Sequence, residues 1–229
     1  KKYRAGVVGL GWMGLLYDLG KRDYENIAGS HEDPVYDVES PDRLLPDWLD
    51  VGRSFHHYNH PGQEGLVSSY AEALNDRPEV ELVAGADRDS RRLALYGERY
   101  GIDGLYADAL EMFAQEQLDI VAIATNTRGR SMLTVAAVEA GVKGVFVDKP
   151  MVFTLAEADA MVGACAAAGV PLVGGATSVS HPSFAQARKL VESRAIGAVK
   201  SIEARVPLMA QHQDWSYFLD SEPVWVCGI

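Results

Sequence analysis

Gly9, Gly11 and Gly14 follow directly on the apolar run Ala5-Gly-Val-Val-Gly-Leu10, and nothing else in the sequence constrains the fold as tightly. A short apolar run of this kind reads as a strand buried on both faces, as in a parallel sheet. The G-x-G-x-x-G spacing gives each glycine its own task. The first permits a tight turn, the second lets the backbone approach a pyrophosphate, and the third lets helix and strand pack closely. Gly9, Gly11 and Gly14, with Trp12 and Met13 between them, are therefore candidates to cradle a dinucleotide. Backbone N–H groups at a helix start suffice to hold the anion. The formal net charge of −11 thus does not exclude an anionic cofactor. It does argue against a nucleic-acid partner, which needs a basic face.

Further along, apolar strand patterns alternate with helical ones. Strands are expected at Glu79–Asp87, Leu118–Thr125, Gly144–Asp148 and Val170–Gly174. Helices are expected at Gly65–Asn75, Asp89–Tyr100, Ala107–Gln115, Arg130–Ala140, Thr154–Ala168 and Ser183–Arg194. Val199–Val206 and Val224–Cys227 are further strand candidates. Thr154 and Glu157 form a capping-box pair, and Gly141 is a usual helix-terminating residue. The alternation predicts βαβ units around a parallel sheet, the doubly wound α/β class. Residues 15–65 break the pattern. They hold Pro34, Pro41, Pro46 and Pro61 with many acids, and read as a long loop with short helical pieces.

Asp87 ends the second strand, where an acid hydrogen-bonds the adenosine ribose. It lies 73 residues beyond Gly14, against the roughly 20 that are usual. An insertion over 15–65, within the first crossover, accounts for the excess. Asp87 repels a 2′-phosphate and favours NAD. The neighbouring Arg88 can instead stack on adenine or meet a phosphate, which keeps NADP open. Ligands of an open parallel sheet sit beyond the carboxyl ends of its strands. Ala124-Thr125-Asn126-Thr127 is such an end, and Thr125 and Asn126 are placed to border the cofactor. Val147-Asp148-Lys149-Pro150 is another. A lysine beside a carboxylate there can orient a substrate hydroxyl and assist its proton loss.

Taken in order, the glycine motif, Ala-Asp87-Arg, Asp119-Ile-Val-Ala-Ile-Ala-Thr125 and Glu139-Ala-Gly-Val-Lys-Gly-Val-Phe-Val-Asp-Lys-Pro150 resemble the Gfo/Idh/MocA family, that of glucose–fructose oxidoreductase and inositol dehydrogenase. The similarity runs through nearly all of the chain outside 15–65. It implies an N-terminal Rossmann domain, taken as 1–150, and an α+β domain with a mostly antiparallel sheet, of which 151–229 is an apparently truncated part. It implies NAD(P)-dependent oxidation or reduction at a hydroxyl-bearing carbon of a sugar, cyclitol or related polyol. Association into homo-oligomers through the sheet face is implied as well. The family's Glu-Lys-Pro falls on Asp148-Lys149-Pro150, which makes Lys149 catalytic and sets Asp148 beside the cofactor. Its later histidine falls on His212.

Several positions depart from the family pattern. Asp148 replaces Glu, Asn126 replaces Pro, Arg130 replaces His, and Thr177-Ser178 stand where Asn-Arg is common, although His181-Pro182 is kept. Leu208 replaces the acid four residues before His212, a loss that also admits a non-catalytic NAD-binding regulatory or assembly protein.

Other features carry less. His56, His57 and His60 cluster without an acid or cysteine at ligand spacing, so no metal is expected. Cys165 reads as a small core residue. With Cys227 it makes no disulfide framework, which fits a cytoplasmic setting. Trp215, Tyr217 and Phe218 read as core or interface. No apolar stretch approaches the roughly 20 residues that span a bilayer, so no membrane partner is expected.

Overall fold

The computed structural model describes residues 2–18, 27–30, 33–36, 67–175 and 182–203. The chain falls into two compact units, Lys1–Val173 and Gly174–Ile229. The first is built on a six-stranded sheet of β1 (Tyr3–Val8), β4 (Val80–Ala86), β5 (Gly104–Tyr106), β6 (Ile120–Ile123), β7 (Gly144–Val147) and β8 (Leu172–Gly174), in the spatial order β5-β4-β1-β6-β7-β8. The β4–β1, β1–β6, β4–β5 and β6–β7 pairs are parallel. Renumbered within the sheet, the order is 3-2-1-4-5-6, that of a doubly wound dinucleotide-binding domain. The chain reverses its winding at β1, and the strand ends beside that switch point open a crevice.

Alternation along each strand sends side chains to two cores. Val7 on β1, Ala122 on β6 and Phe146 on β7 face one layer, where they meet Leu15, Leu16, Ala71, Leu93 and Tyr96. Those residues come from α1 (Trp12–Leu16), α2 (Tyr70–Asn75) and α3 (Ser90–Tyr100). Val8, Val121, Ile123, Val145 and Val147 face the other layer, where they meet Met112, Leu133, Ala137, Met161 and Cys165. These belong to α4 (Ala109–Gln115), α5 (Arg130–Glu139) and α6 (Leu155–Ala168). Each fully buried large aliphatic side chain contributes about 2 kcal/mol. The sheet is therefore held from both faces, as its near-continuous apolar strands require.

The helices start and stop where the chemistry of their ends places them. Asp89 and Asp108 cap α3 and α4 by accepting N–H bonds from Arg91 and from Leu110 and Glu111. The Thr154–Glu157 capping box is present at the start of α6, and Cys165 is buried in that helix. The four strands expected after the first are observed shorter by one to four residues, with residues trimmed at one or both ends. The first compact unit extends past Pro150 because α6 packs on α5 and β8 joins the sheet.

Three differences from the sequence reading stand out. The short edge strand β5 went unrecognised, three residues being too few to show a period. Within the stretch taken as loop with helical pieces, β2 (Ile27–Ser30) and β3 (Asp33–Tyr36) form an antiparallel pair. Pro34 is tolerated there because a two-stranded ribbon consists entirely of edges. Residues 199–203, expected in a strand, lie outside any regular element.

Both α1 and α2 lie in the single crossover from β1 to its parallel neighbour β4, and they pack on each other. The segment between them is thus inserted into that crossover, as the 73-residue spacing implies. The described part of the second unit contains α7 (Pro182–Glu192). The remaining strand candidate, Val224–Cys227, lies outside the described residues.

Candidate functional site

The three glycines meet three different surroundings. Gly9 has φ +88°, and a Cβ there would lie 2.7 Å from the Ala124 carbonyl carbon and the Thr125 nitrogen. The β1 turn thus needs both the left-handed backbone and the bare α-carbon. A Cβ on Gly14 would fall 1.9 Å from the Gly9 carbonyl oxygen, so α1 packs directly onto the strand end. Among the described residues, a Cβ on Gly11 would meet only the Arg92 Nη1, at 3.7 Å, so none of them closes over the middle glycine. The Gly11 carbonyl accepts from both Leu15 (2.9 Å) and Leu16 (3.1 Å), which gives the first turn of α1 its wide, π-helical form. Trp12 and Met13 are half-buried over that turn, and the Trp12 ring packs on Tyr17 with centroids 5.1 Å apart.

Asp87 leaves the end of β4 beside this turn. One carboxylate oxygen accepts from the Leu10 N–H at 2.6 Å and the other from the Asp89 N–H at 2.8 Å. Arg92, on the first turn of α3, places Nη1 3.8 Å from Asp87 Oδ2. Its Nε is buried without a hydrogen-bond partner. Sequence reasoning had passed over Arg92, whose only signal was its place one turn beyond Asp87. Arg88 is exposed at the strand end.

Across the switch point, β6 ends at Ile123 and is followed by Thr125 and Asn126. The Thr125 hydroxyl donates to the Asn126 carbonyl at 2.9 Å, and Asn126 is exposed. β7 ends at Asp148-Lys149-Pro150, with a cis peptide bond before Pro150 and a half-buried Lys149. Asp148 is buried, with 5% of its surface exposed. Its Oδ1 accepts from the Tyr70 hydroxyl at 2.6 Å, and its Oδ2 lies 3.4 Å from Arg130 Nη2. Its carboxylate is thus engaged by Tyr70 and Arg130.

Arg130, 2% exposed at the start of α5, donates through Nη1 to the carbonyls of Asp148 and Pro150, and through Nε and Nη2 to the carbonyl of Thr125. Burial pushes its pKa down, against the opposing pull of Asp148. The sequence marked Arg130 only as a departure. Nothing local marked Tyr70, whose partner is 78 residues away.

The structure thus brings Gly9–Gly14, Asp87, Thr125, Asn126 and Lys149 to the carboxyl ends of four adjacent strands, β4, β1, β6 and β7. His212, His56, His57, His60, Thr177, Ser178, His181, Leu208, Cys227 and the aromatic group at 215–218 lie outside the described residues. Among the described residues no group of three or more His, Cys, Asp or Glu is placed to hold a metal. Nor is any helix among them long and apolar enough to cross a membrane.

The strand order, the glycine turn and the acid bonded to it define a Rossmann-type dinucleotide-binding domain. The chain belongs to the Gfo/Idh/MocA oxidoreductase family, described as having an NAD-binding Rossmann fold, whose model matches residues 62–176. It is 45% identical over 105 residues to a D-apiose dehydrogenase of Paraburkholderia graminis, a match covering 46% of this chain and 28% of that protein. It is 30% identical over 136 residues to a myo-inositol 2-dehydrogenase of Thermotoga maritima, covering 59% of this chain and 40% of that protein.

Solved structures share the fold. An oxidoreductase from Agrobacterium radiobacter in complex with NAD+, L-tartaric acid and magnesium superposes with a TM-score of 0.56 at 22% identity, over 86% of this chain and 42% of that one. A myo-inositol 2-dehydrogenase from Lactobacillus plantarum gives 0.55 at 21%, over 86% and 43%. The chain spans less than half the length of the curated relatives it matches.

Proposed function

We propose that this chain forms the dinucleotide-binding part of an NAD-dependent dehydrogenase acting on a hydroxyl-bearing carbon of a sugar or cyclitol. The observation that carries the reading is the division of labour among the glycines. Gly9 and Gly14 are closed by protein contacts, whereas among the described residues none closes over Gly11. That bare surface fits a pyrophosphate held on backbone N–H groups. Asp87 supports NAD over NADP, because its carboxylate stands at the ribose end of the cradle and disfavours a second anion there. Thr125 and Asn126 line the far side of the crevice.

Bound there, a nicotinamide ring supplies hydride exchange. Lys149 holds the reacting hydroxyl and assists its proton loss, and His212 takes or gives the proton. The residues after Val173 begin the substrate-binding and oligomerisation domain, and the protein works as a homo-oligomer. The names of the D-apiose and myo-inositol relatives support the substrate class. The absence of a disulfide pattern supports a cytoplasmic setting.

The test is an NADH fluorescence titration of the full-length protein, paired with turnover on a panel of aldoses and inositols. Lys149→Ala is expected to abolish turnover and leave NADH affinity within about threefold of wild type, a change well under the 1.4 kcal/mol of a tenfold step. A wild-type protein that binds no dinucleotide, or a Lys149→Ala variant at full rate, would overturn the reading.

A further inference from the structure

A buried arginine that spends its donors on main-chain carbonyls is costly unless the position of those carbonyls matters. The Arg130 guanidinium grips the loops that follow two neighbouring strands, β6 and β7. Nη1 bridges the carbonyls of Asp148 and Pro150, which bracket Lys149, while Nε and Nη2 hold the carbonyl of Thr125 at the end of β6. The Asp148 carboxylate faces the same guanidinium at 3.4 Å, and its other oxygen accepts from Tyr70 at 2.6 Å. The Tyr70 ring packs on Phe146 of β7, with centroids 4.6 Å apart.

We infer that Arg130 is a positioning residue for Lys149, fixing the main chain on either side of it and locking it to the Thr125 loop, with Tyr70 acting through Asp148 to hold the guanidinium in place. The inference rests on the reading of Lys149 given above.

The chemistry explains why arginine serves here. Its planar fork reaches three carbonyls and a carboxylate at once, which the single nitrogen of lysine does not. Two peptide units tied to one Nη1 leave the intervening residue little backbone freedom. The Lys149 side chain thus departs from a fixed point, and a shift of about 1 Å in such a point costs about 100-fold in rate.

The experiment uses the full-length protein with Arg130→Lys, which keeps a cation opposite Asp148 but loses the fork, and Tyr70→Phe, which frees one oxygen of Asp148. Three quantities are read: NADH affinity, kcat and KM on the best sugar substrate, and the NMR signal of 13C-dimethylated Lys149, assigned by its loss in Lys149→Arg.

Arg130→Lys is expected to lower kcat about 10- to 100-fold while KM and NADH affinity stay within about threefold, and to move the Lys149 signal towards that of exposed lysines. Tyr70→Phe is expected to do the same more weakly, lowering kcat about threefold or more, and decides the matter if Arg130→Lys does not fold. An unmoved Lys149 signal, an unchanged kcat, or NADH affinity lost in step with kcat overturns the inference. The NMR signal needs no cofactor. A wild-type protein that binds no NADH would therefore end the dehydrogenase reading while the positioning of Lys149 is still decided.

Discussion

The carboxylate of Asp87 accepts a hydrogen bond from the backbone N–H of Leu10 at 2.6 Å. The acid that ends β4 therefore also holds the glycine turn that follows β1. Leu10 is fully buried, so its N–H has no water to turn to. One side chain thus joins the end of β4 to the glycine turn after β1, and a change at Asp87 will be felt at both.

Asp87→Asn keeps an acceptor for Leu10 and removes the charge. The fold should survive, with destabilisation of about 1 kcal/mol. NAD affinity should fall and NADP affinity rise relative to it, by about tenfold in the ratio, or 1.4 kcal/mol. Paired calorimetric titrations with NADH and NADPH read the ratio directly, and an unchanged ratio would remove Asp87 from cofactor choice.

Gly11 and Gly14 should part company when each is replaced by alanine. Gly11 has φ −73° and ψ −158°, extended backbone that alanine adopts freely, and among the described residues a Cβ there would meet only Arg92, at 3.7 Å. Gly11→Ala should melt within a few degrees of wild type and lose about tenfold or more in NADH affinity. Gly14→Ala drives a Cβ into the Gly9 carbonyl and should cost about 3 kcal/mol or prevent folding. Thermal melts and NADH titrations of the two variants separate the roles. Equal behaviour would mean that the open surface at Gly11 is not a ligand surface.

Asp18, just beyond α1, is fully buried and pairs with Arg99 Nε at 3.0 Å and with the Tyr100 hydroxyl at 2.8 Å. Burial first, and then the nearby Asp18 charge, raise the Tyr100 pKa, so the phenol stays a donor throughout the physiological range. Arg99→Met removes this cation from the buried carboxylate and keeps the phenol on it. A loss of about 3 kcal/mol is expected, the low end of the range because Arg99 is 30% exposed. Urea unfolding measures it, and a loss below about 1 kcal/mol would show that Asp18 is compensated elsewhere.

The capping box of α6 gives a pH signature. Hydrogen bonds from Thr154 lower the pKa of Glu157. A carboxylate with a depressed folded-state pKa contributes stability that is full above its unfolded value, about 4.3, and fades as pH falls through the lower folded value. Thr154→Ala should therefore cost about 1 kcal/mol at neutral pH. The gap from wild type should narrow below about pH 4. Unfolding curves at pH 7 and pH 3.5 check both the size and the sign, and a gap that widens in acid would contradict the assignment.

The apolar runs and the glycine spacing already implied the sheet, its parallel sense and the acid at Asp87, because those features follow from local periodicity and from backbone needs that only glycine meets. The insertion could be read too, as the excess spacing between Gly14 and Asp87. Local sequence carries no such record of long-range contact. Tyr70 to Asp148 spans 78 positions and Arg130 to Pro150 spans 20, and neither pair leaves a periodic trace. The sequence placed Asp148 at a strand end, but not its carboxylate against Tyr70 and Arg130. Which glycine stays open and which arginine is buried depend on where separate strands and helices meet in space. That is a property of packing, and packing is settled only when the whole sheet is assembled.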